Sequence, residues 1–232
     1  MMHESGSISI NTENIFPIIK KWLYSEKDIF VRELVSNSSD AISKLKKLSA
    51  IGEADLEGDD KWQIKVVINK KEKTMQIIDN GIGMTFEEVG KYINQIAFSG
   101  AKDFLEKYKD KTDEGQIIGH FGLGFYSAFM VADKVQIDTL SYKKDEKAVR
   151  WVSVGGMDYE MGESDRTSRG TTVTLFLSED SLEFLDSFKV REILEKYFSF
   201  LPYDVYFESI EESSEEGGEA KKDEEPEELK PI

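Results

Sequence analysis

The apolar residues of this 232-residue chain change their spacing part-way along it, and that change limits the folds open to it. From Asp28 to about Ala50, residues Phe30, Val31, Leu34, Ala41, Ile42, Leu45 and Leu48 share one face of a helix turning about 100° per residue. Ahead of it, Ile15, Ile18, Ile19, Trp22 and Leu23 recur at the same spacing, with Asn14 as a cap, and Ile8 and Ile10 alternate as in a short strand. From Trp62 the period falls towards two. Trp62 to Asn69 and Thr74 to Asp79 read as strands joined by the hairpin Lys70-Lys71-Glu72-Lys73, and helical fragments follow between Thr85 and Lys109. Val135 to Leu140, Ala148 to Val154, Asp158 to Met161 and Thr171 to Leu177 read as further strands, before a helix over Val190 to Phe198 and a last strand near Val205. Helices early and strands late predict an α+β fold, a two-layer sandwich with helices on one face of a mostly antiparallel, mixed sheet.

With 39% hydrophobic residues the chain can build a real core. Its formal charge of -16 is unevenly spread: Glu208 to Lys230 holds eleven acids against three lysines and so carries half of it. That stretch is too polar to fold, which predicts a folded domain over residues 1–207 and an acidic linker over 208–232 with further domains beyond it. The acidic balance argues against nucleic acid as a partner, because such binding gathers Lys and Arg to displace counterions. The absence of cysteine and the presence of two histidines, His3 and His120, exclude a disulfide framework and speak against structural zinc. No run reaches the ~18 apolar residues of a membrane span, and the first fourteen residues hold no signal-like segment. A cytoplasmic protein with no membrane partner is the expectation.

Three short pieces carry the chemistry. On the helix over 28–50, Glu33, Asn37, Asp40 and Lys44 form a polar stripe at the edge of the apolar face. It reads either as a solvated flank or as a rim where Asn37 supplies one oxygen to a magnesium ion and Glu33 polarises a water for attack on a phosphate. The strand Thr74 to Asp79 runs into Asn80-Gly81-Ile82-Gly83, either an ordinary tight turn or a carboxylate beside glycines that let backbone approach a base. Glycines at 115, 119, 122 and 124 precede the helix-like run Phe125 to Val131, where backbone amides could hold phosphate without a lysine. Neither a Walker loop nor a dinucleotide fingerprint is present.

With their flanks these pieces resemble the ATP-binding domain of the heat-shock protein 90 chaperones, within the wider GHKL fold shared with type II topoisomerases, mismatch-repair ATPases and sensor histidine kinases. The resemblance rests on Ile29-Phe-Val-Arg-Glu33-Leu-Val-Ser-Asn37-Ser-Ser-Asp40-Ala, Asp79-Asn-Gly-Ile-Gly83-Met84-Thr, Gly122-Leu123-Gly124-Phe125-Tyr-Ser-Ala-Phe-Met-Val-Ala-Asp133 and Arg169-Gly-Thr171, spans about residues 7–208, and points to the bacterial branch. It implies ATP and ADP as ligands with Mg2+ as cofactor, Glu33 as catalytic base and Asn37 as the metal ligand. Asp79, Gly83, Met84 and Thr171 are then placed around adenine, Asp40, Lys44 and Phe125 line the pocket, and Gly119, Gly122, Leu123 and Gly124 take the phosphates. Residues of about 93–124 become a lid over ATP, and the strand near Ser7 to Ile10 is exchanged between subunits of a homodimer.

Unfolded or partly folded client proteins are the implied partners. Hydrolysis in this domain alone is expected to be slow, an arginine from the following domain contributing about 10³-fold or more. Two features depart from the family pattern: Phe98 stands where a phosphate-contacting lysine is common and Ala101 where threonine is. Two other functions fit the same pieces, a non-hydrolysing ATP-sensing module and a DNA-directed ATPase of the topoisomerase or mismatch-repair type.

Overall fold

A computed structural model describes residues 27–56, 58, 61–95, 124–156, 158–210 and 231. The expected first strand, the helix over 15–23, most of the expected lid, Phe98, Ala101 and nearly all of the acidic linker lie outside the described residues.

The change of apolar period is realised as two layers. Helix α1, Ile29–Ala50, lays Phe30, Val31, Leu34, Ile42, Leu45 and Leu48 into the core. Its entry is tied down from the far end of the chain: Lys196 Nζ and Tyr197 OH donate to Asp28 Oδ2 at 3.1 and 3.2 Å. Strands β1 (Gln63–Asn69) and β2 (Thr74–Asp79) form the expected hairpin, and the short α2 (Phe86–Tyr92) opens on a capping box in which Thr85 and Glu88 satisfy each other's amides. A 3₁₀ helix over Gly124–Met130 leads into β3 (Ala132–Leu140), β4 (Val149–Val154), β5 (Asp158–Glu163) and β6 (Gly170–Leu177). A second 3₁₀ helix over Glu179–Leu185, then α3 (Ser187–Phe198) and β7 (Asp204–Ile210), complete the order.

The seven strands form one sheet in the order β5-β4-β3-β6-β2-β1-β7. Every neighbouring pair is antiparallel except β1 and β7, which run parallel. Helix α1 packs against β2 and against the first 3₁₀ helix. The inward residues Ile64, Val66, Ile68, Met75, Ile77, Val135, Ile137, Leu175 and Leu177 meet the helices in a continuous core, and Phe30 meets Phe184 edge-on at 4.9 Å. The fold is therefore the α+β sandwich that the spacing predicts.

Strand β7 runs to Ile210, three residues past the boundary that composition suggests at 207/208. Lys65 on β1 lies 3.6 Å from the Glu208 carboxylate, so this acid of the edge strand is paired without being buried.

Strand alternation decides which end of the sheet becomes polar. Asp79 continues the inward set of Met75 and Ile77, and Thr139 continues that of Val135 and Ile137. In register, Asp79 faces Thr171 and Thr171 faces Thr139, so three polar side chains lie abreast across β2, β6 and β3 where the apolar core stops.

Gly170 starts β6 with φ +103°, and a Cβ there would lie 2.1 Å from the Asp79 carbonyl oxygen. Gly155 has φ +71° and open space around it. Gly170→Ala is expected to cost about 2–4 kcal/mol, strain plus overlap, against about 1 kcal/mol of strain for Gly155→Ala. Urea unfolding of the two variants measures the difference, and equal losses would show that the close approach at Asp79 is unimportant.

Candidate functional site

Asp79 is only 5% exposed although it ends a strand. Its Oδ1 accepts the Gly81 amide at 2.9 Å, and the Ser38 hydroxyl from α1 and the Thr171 amide from β6 also donate to the carboxyl. Burial outweighs these donors and pushes its pKa up from 3.8 to about 6. A carboxylate withdrawn from water, with its donors supplied from three separate elements, can accept from a ligand's amino group with little reorganisation.

Thr139, wholly buried, holds the neighbouring backbone. Its Oγ1 accepts the Met84 amide at 3.0 Å, donates to the Gly170 carbonyl at 3.2 Å and lies 2.9 Å from Thr171 Oγ1. Thus Met84, Thr171 and Asp79 are brought together as the sequence motifs predict. Gly83 sits between them with φ +61°, and a Cβ on it would overlap the Leu140 carbonyl oxygen at 1.9 Å, so only glycine fits. The same loop comes down on α1: the Ile82 amide donates to the Ala41 carbonyl at 3.1 Å, and a Cβ on Gly81 would meet the α1 backbone at 2.6 Å.

The stripe on α1 is uneven in exposure. Glu33 and Lys44 are half-buried and Asn37 is exposed one turn beyond Glu33, whereas Asp40, expected at the rim, is buried at 4% exposure. Beside it, the loop after β2 lies on α1 at Ala41 and Ile42. Glu33 Oε1 accepts from Arg32 Nη2 at 2.7 Å, and a Cβ on Gly124 would stand 2.5 Å from Glu33 Oε2. The end of the glycine-rich segment therefore lies directly on the Glu33 carboxylate. Phe125 next to it packs edge-on against Trp151 at 5.6 Å and against Phe129 at 6.3 Å. Gly119, Gly122 and Leu123 lie outside the described residues.

Among the described residues no group of three or more His, Asp or Glu side chains could enclose a metal ion. The exposed amide of Asn37 fits the other way of holding magnesium, in which the protein gives one oxygen and phosphates and water give the rest. Tyr126, its hydroxyl pKa pushed up to about 12 by burial, donates to the Ile93 carbonyl at 2.5 Å, and Trp151 Nε1 donates to Asn94 Oδ1 at 2.9 Å. These bonds anchor the first residues of the expected lid segment to the core.

Sequence reasoning missed Thr139, Ser38 and Arg32. For Thr139 a signal existed, since a threonine takes the place of an apolar residue in the inward series Val135, Ile137. For Ser38 there was none, because its role depends on a strand forty residues away.

A sequence family described as histidine kinase-, DNA gyrase B- and HSP90-like ATPases matches residues 24–177. Similar curated proteins include the chaperone protein HtpG of Bacteroides thetaiotaomicron, 52% identical over 204 residues, covering 88% of this chain and 29% of the relative. That of Porphyromonas gingivalis is 47% identical over 206 residues, covering 89% and 30%. That of Fusobacterium nucleatum is 40% identical over 210 residues, covering 89% and 34%. The chain spans about a third of the length of these relatives.

Because burial raises the Asp79 pKa, the ionised carboxyl weighs against the fold: the unpenalised state holds below pH 3.8 and is lost as pH rises through about 6. Asp79→Asn is therefore expected to stabilise the unliganded protein by about 1–3 kcal/mol at pH 7.5, the gain vanishing by about pH 4. Urea unfolding of both proteins across this range checks the sign, and a gain that grew on acidification would contradict the buried-carboxyl account.

Proposed function

The chain belongs to the histidine kinase-, DNA gyrase B- and HSP90-like ATPase family, and from that premise we propose that it is the nucleotide-binding domain of an ATP-dependent chaperone, hydrolysing ATP slowly. The observation that carries this reading is the buried Asp79 carboxyl, set in the polar row at the sheet end and joined through Ser38 to the helix that bears Glu33 and Asn37.

The helix sets the scale of the site. Ser38, at Asp79, and Glu33 are five residues apart, about 7.5 Å along the axis. The adenine amino group donates to Asp79, Gly83 and Met84 offer backbone beside the ring, and Thr171 closes the pocket from β6. The nucleotide then runs along α1 from Ser38 towards Glu33, with Asp40 and Lys44 lining the adenine end and Phe125 behind the glycine-rich segment. Gly119, Gly122, Leu123 and Gly124 supply amides to the phosphates. Glu33 accepts the proton of a water that attacks the terminal phosphorus as the bond to the ADP oxygen breaks. Arg32 holds one carboxylate oxygen of Glu33 and orients the other towards Gly124. Asn37 would hold Mg2+, which neutralises phosphate charge when bound.

The relatives' name as chaperones supports unfolded or partly folded proteins as clients of the whole molecule, and a homodimer and a cytoplasmic setting belong to the same reading. Among the described residues no helix is long and apolar enough to cross a membrane.

Two substitutions separate binding from chemistry. Asp79→Asn is expected to abolish calorimetric binding of ATP and ADP while the protein stays folded, and retained affinity would remove the adenine contact. Glu33→Ala is expected to bind ATP within about threefold of the parent and to lose at least about 10²-fold in single-turnover cleavage, the scale of general-base catalysis. Undiminished cleavage would exclude Glu33 as the base.

A further inference from the structure

The face of the sheet turned away from the helices carries a polar concavity of about 480 Å³, lined among others by Gln136, Asp138, Arg150, Ser164, Arg166 and Thr172. Nothing in the nucleotide reading uses this face, yet one of its side chains reaches through to Asp79. Arg166 lies in the loop between β5 and β6. Its Nη2 donates to the Asp79 carbonyl at 3.2 Å and to the Arg169 carbonyl at 3.2 Å, Nη1 donates to Thr172 Oγ1 at 2.5 Å, and Nε donates to the Ser168 carbonyl at 2.8 Å. One planar guanidinium thus ties the end of β2 to the start of β6, the two strand ends that carry Asp79 and Thr171.

We propose that Arg166 is a positioning residue for nucleotide binding: from behind the sheet it fixes the backbone of Asp79 and of the Arg169–Thr172 segment, and so sets the Asp79 carboxyl against adenine. This rests on the reading of Asp79 as the adenine acceptor. The division of labour is visible at Asp79 itself. The carboxyl takes its donors from the helix side, Ser38, Gly81 and Thr171, while the carbonyl of the same residue takes Arg166 from the opposite side. Gly170 packs against that carbonyl so closely that no other residue fits, which leaves the guanidinium and the β6 backbone sharing one oxygen's surroundings.

The Arg166 main chain is held in its turn. Ser164 Oγ accepts the Arg166 amide at 3.3 Å and donates to Asp138 Oδ1 at 2.6 Å. Asp138 also takes Arg150 Nε at 2.8 Å and Gln136 Nε2 at 2.6 Å. Although burial opposes it, these donors from Ser164, Gln136 and Arg150 keep the Asp138 carboxyl below its ordinary pKa and hence ionised. Among the described residues Arg166 from the β5–β6 loop supplies the charge that acts on the Asp79 carboxyl, with Asp138 on β3 facing that arginine, and Ser38 from α1 adds an uncharged donor. Burial lowers the Arg166 pKa, yet a guanidinium remains cationic throughout the working range, so a fixed positive charge stands behind the adenine acceptor. It favours the ionised carboxyl, the form that accepts best from an amino group.

A bracing role and a positioning role differ in what they do to the Asp79 titration, which the carboxyl carbon resonance reports in the folded, nucleotide-free protein. Arg166→Gln is expected to raise the Asp79 midpoint by about 0.5–1 in pH and to weaken ADP binding at pH 7 by about 3–10-fold. Arg166→Lys keeps the charge and loses the fork, so its midpoint stays within about 0.3 of the parent while affinity falls by about 2–5-fold. The titration of ADP's own phosphates is common to all the proteins and cancels in the comparison. An unmoved midpoint in Arg166→Gln overturns the proposal whatever its affinity, and so does parental ADP affinity in both variants. Should Arg166→Gln not fold, Arg166→Lys decides: weakened binding at the parental midpoint supports the proposal and parental affinity overturns it. Retained ADP binding in Asp79→Asn would instead strike the nucleotide reading, whatever the Arg166 variants do to the carboxyl titration.

Discussion

The withdrawal of the Asp79 carboxyl from water is the constraint around which the rest of the site is arranged. A lone ionised carboxylate in an apolar core is costly, and it survives here because three elements converge on it with hydrogen-bond donors. That convergence needs the strand order of the sheet. Only because β6 lies between β2 and β3 do Asp79, Thr171 and Thr139 stand abreast, and only because α1 crosses β2 does Ser38 meet the carboxyl. The apolar core gives these elements their alignment, and the polar row is the place where that alignment ends in chemistry.

Helix α1 has two duties that compete for its surface. Its apolar face must bury Phe30, Leu34, Ile42 and Leu45, and its edge must present Glu33 and Asn37 outward. Along that edge exposure differs from residue to residue: Glu33 is half-buried, Asn37 exposed, Asp40 buried and Lys44 half-buried again. The loop after β2 is fitted to its neighbours by missing side chains, Gly81 letting its backbone touch α1 at Ala41 and Ile42 and Gly83 letting it touch Leu140. These glycines and the aspartate before them act as one unit, which is why they stand so close in sequence.

Much of this was legible from spacing alone. The limits of α1 and of β2 and the β1–β2 hairpin follow from local periodicity, which is fixed by residues a few places apart. The burial of Asp40 was not legible, because helical spacing puts it at the rim of the apolar face and only tertiary packing withdraws it from water. Nor was Arg166, whose partners Asp79, Arg169 and Thr172 gather only when β2 and β6 pair. The helical run Phe125 to Val131 was read correctly in place but forms a 3₁₀ turn, and its contact with Glu33 required the tertiary packing of that turn on α1. What a sequence hides is thus mostly the second partner of each polar residue.

The same buried carboxyl links stability, pH and binding. Near neutral pH the unliganded protein keeps Asp79 largely ionised at a cost in folding free energy of up to about 3 kcal/mol, since its pKa is raised to about 6. A ligand amino group aimed at the carboxyl adds a donor to the charged form and offsets part of that cost. Such a ligand binds the folded protein alone, so it raises stability in proportion to its occupancy. A protonated carboxyl would accept less well, so acidification stabilises the empty protein while weakening its hold on the amino group. The two effects have opposite signs because they arise from one proton, and the fixed charge of Arg166 behind the strand bears on both.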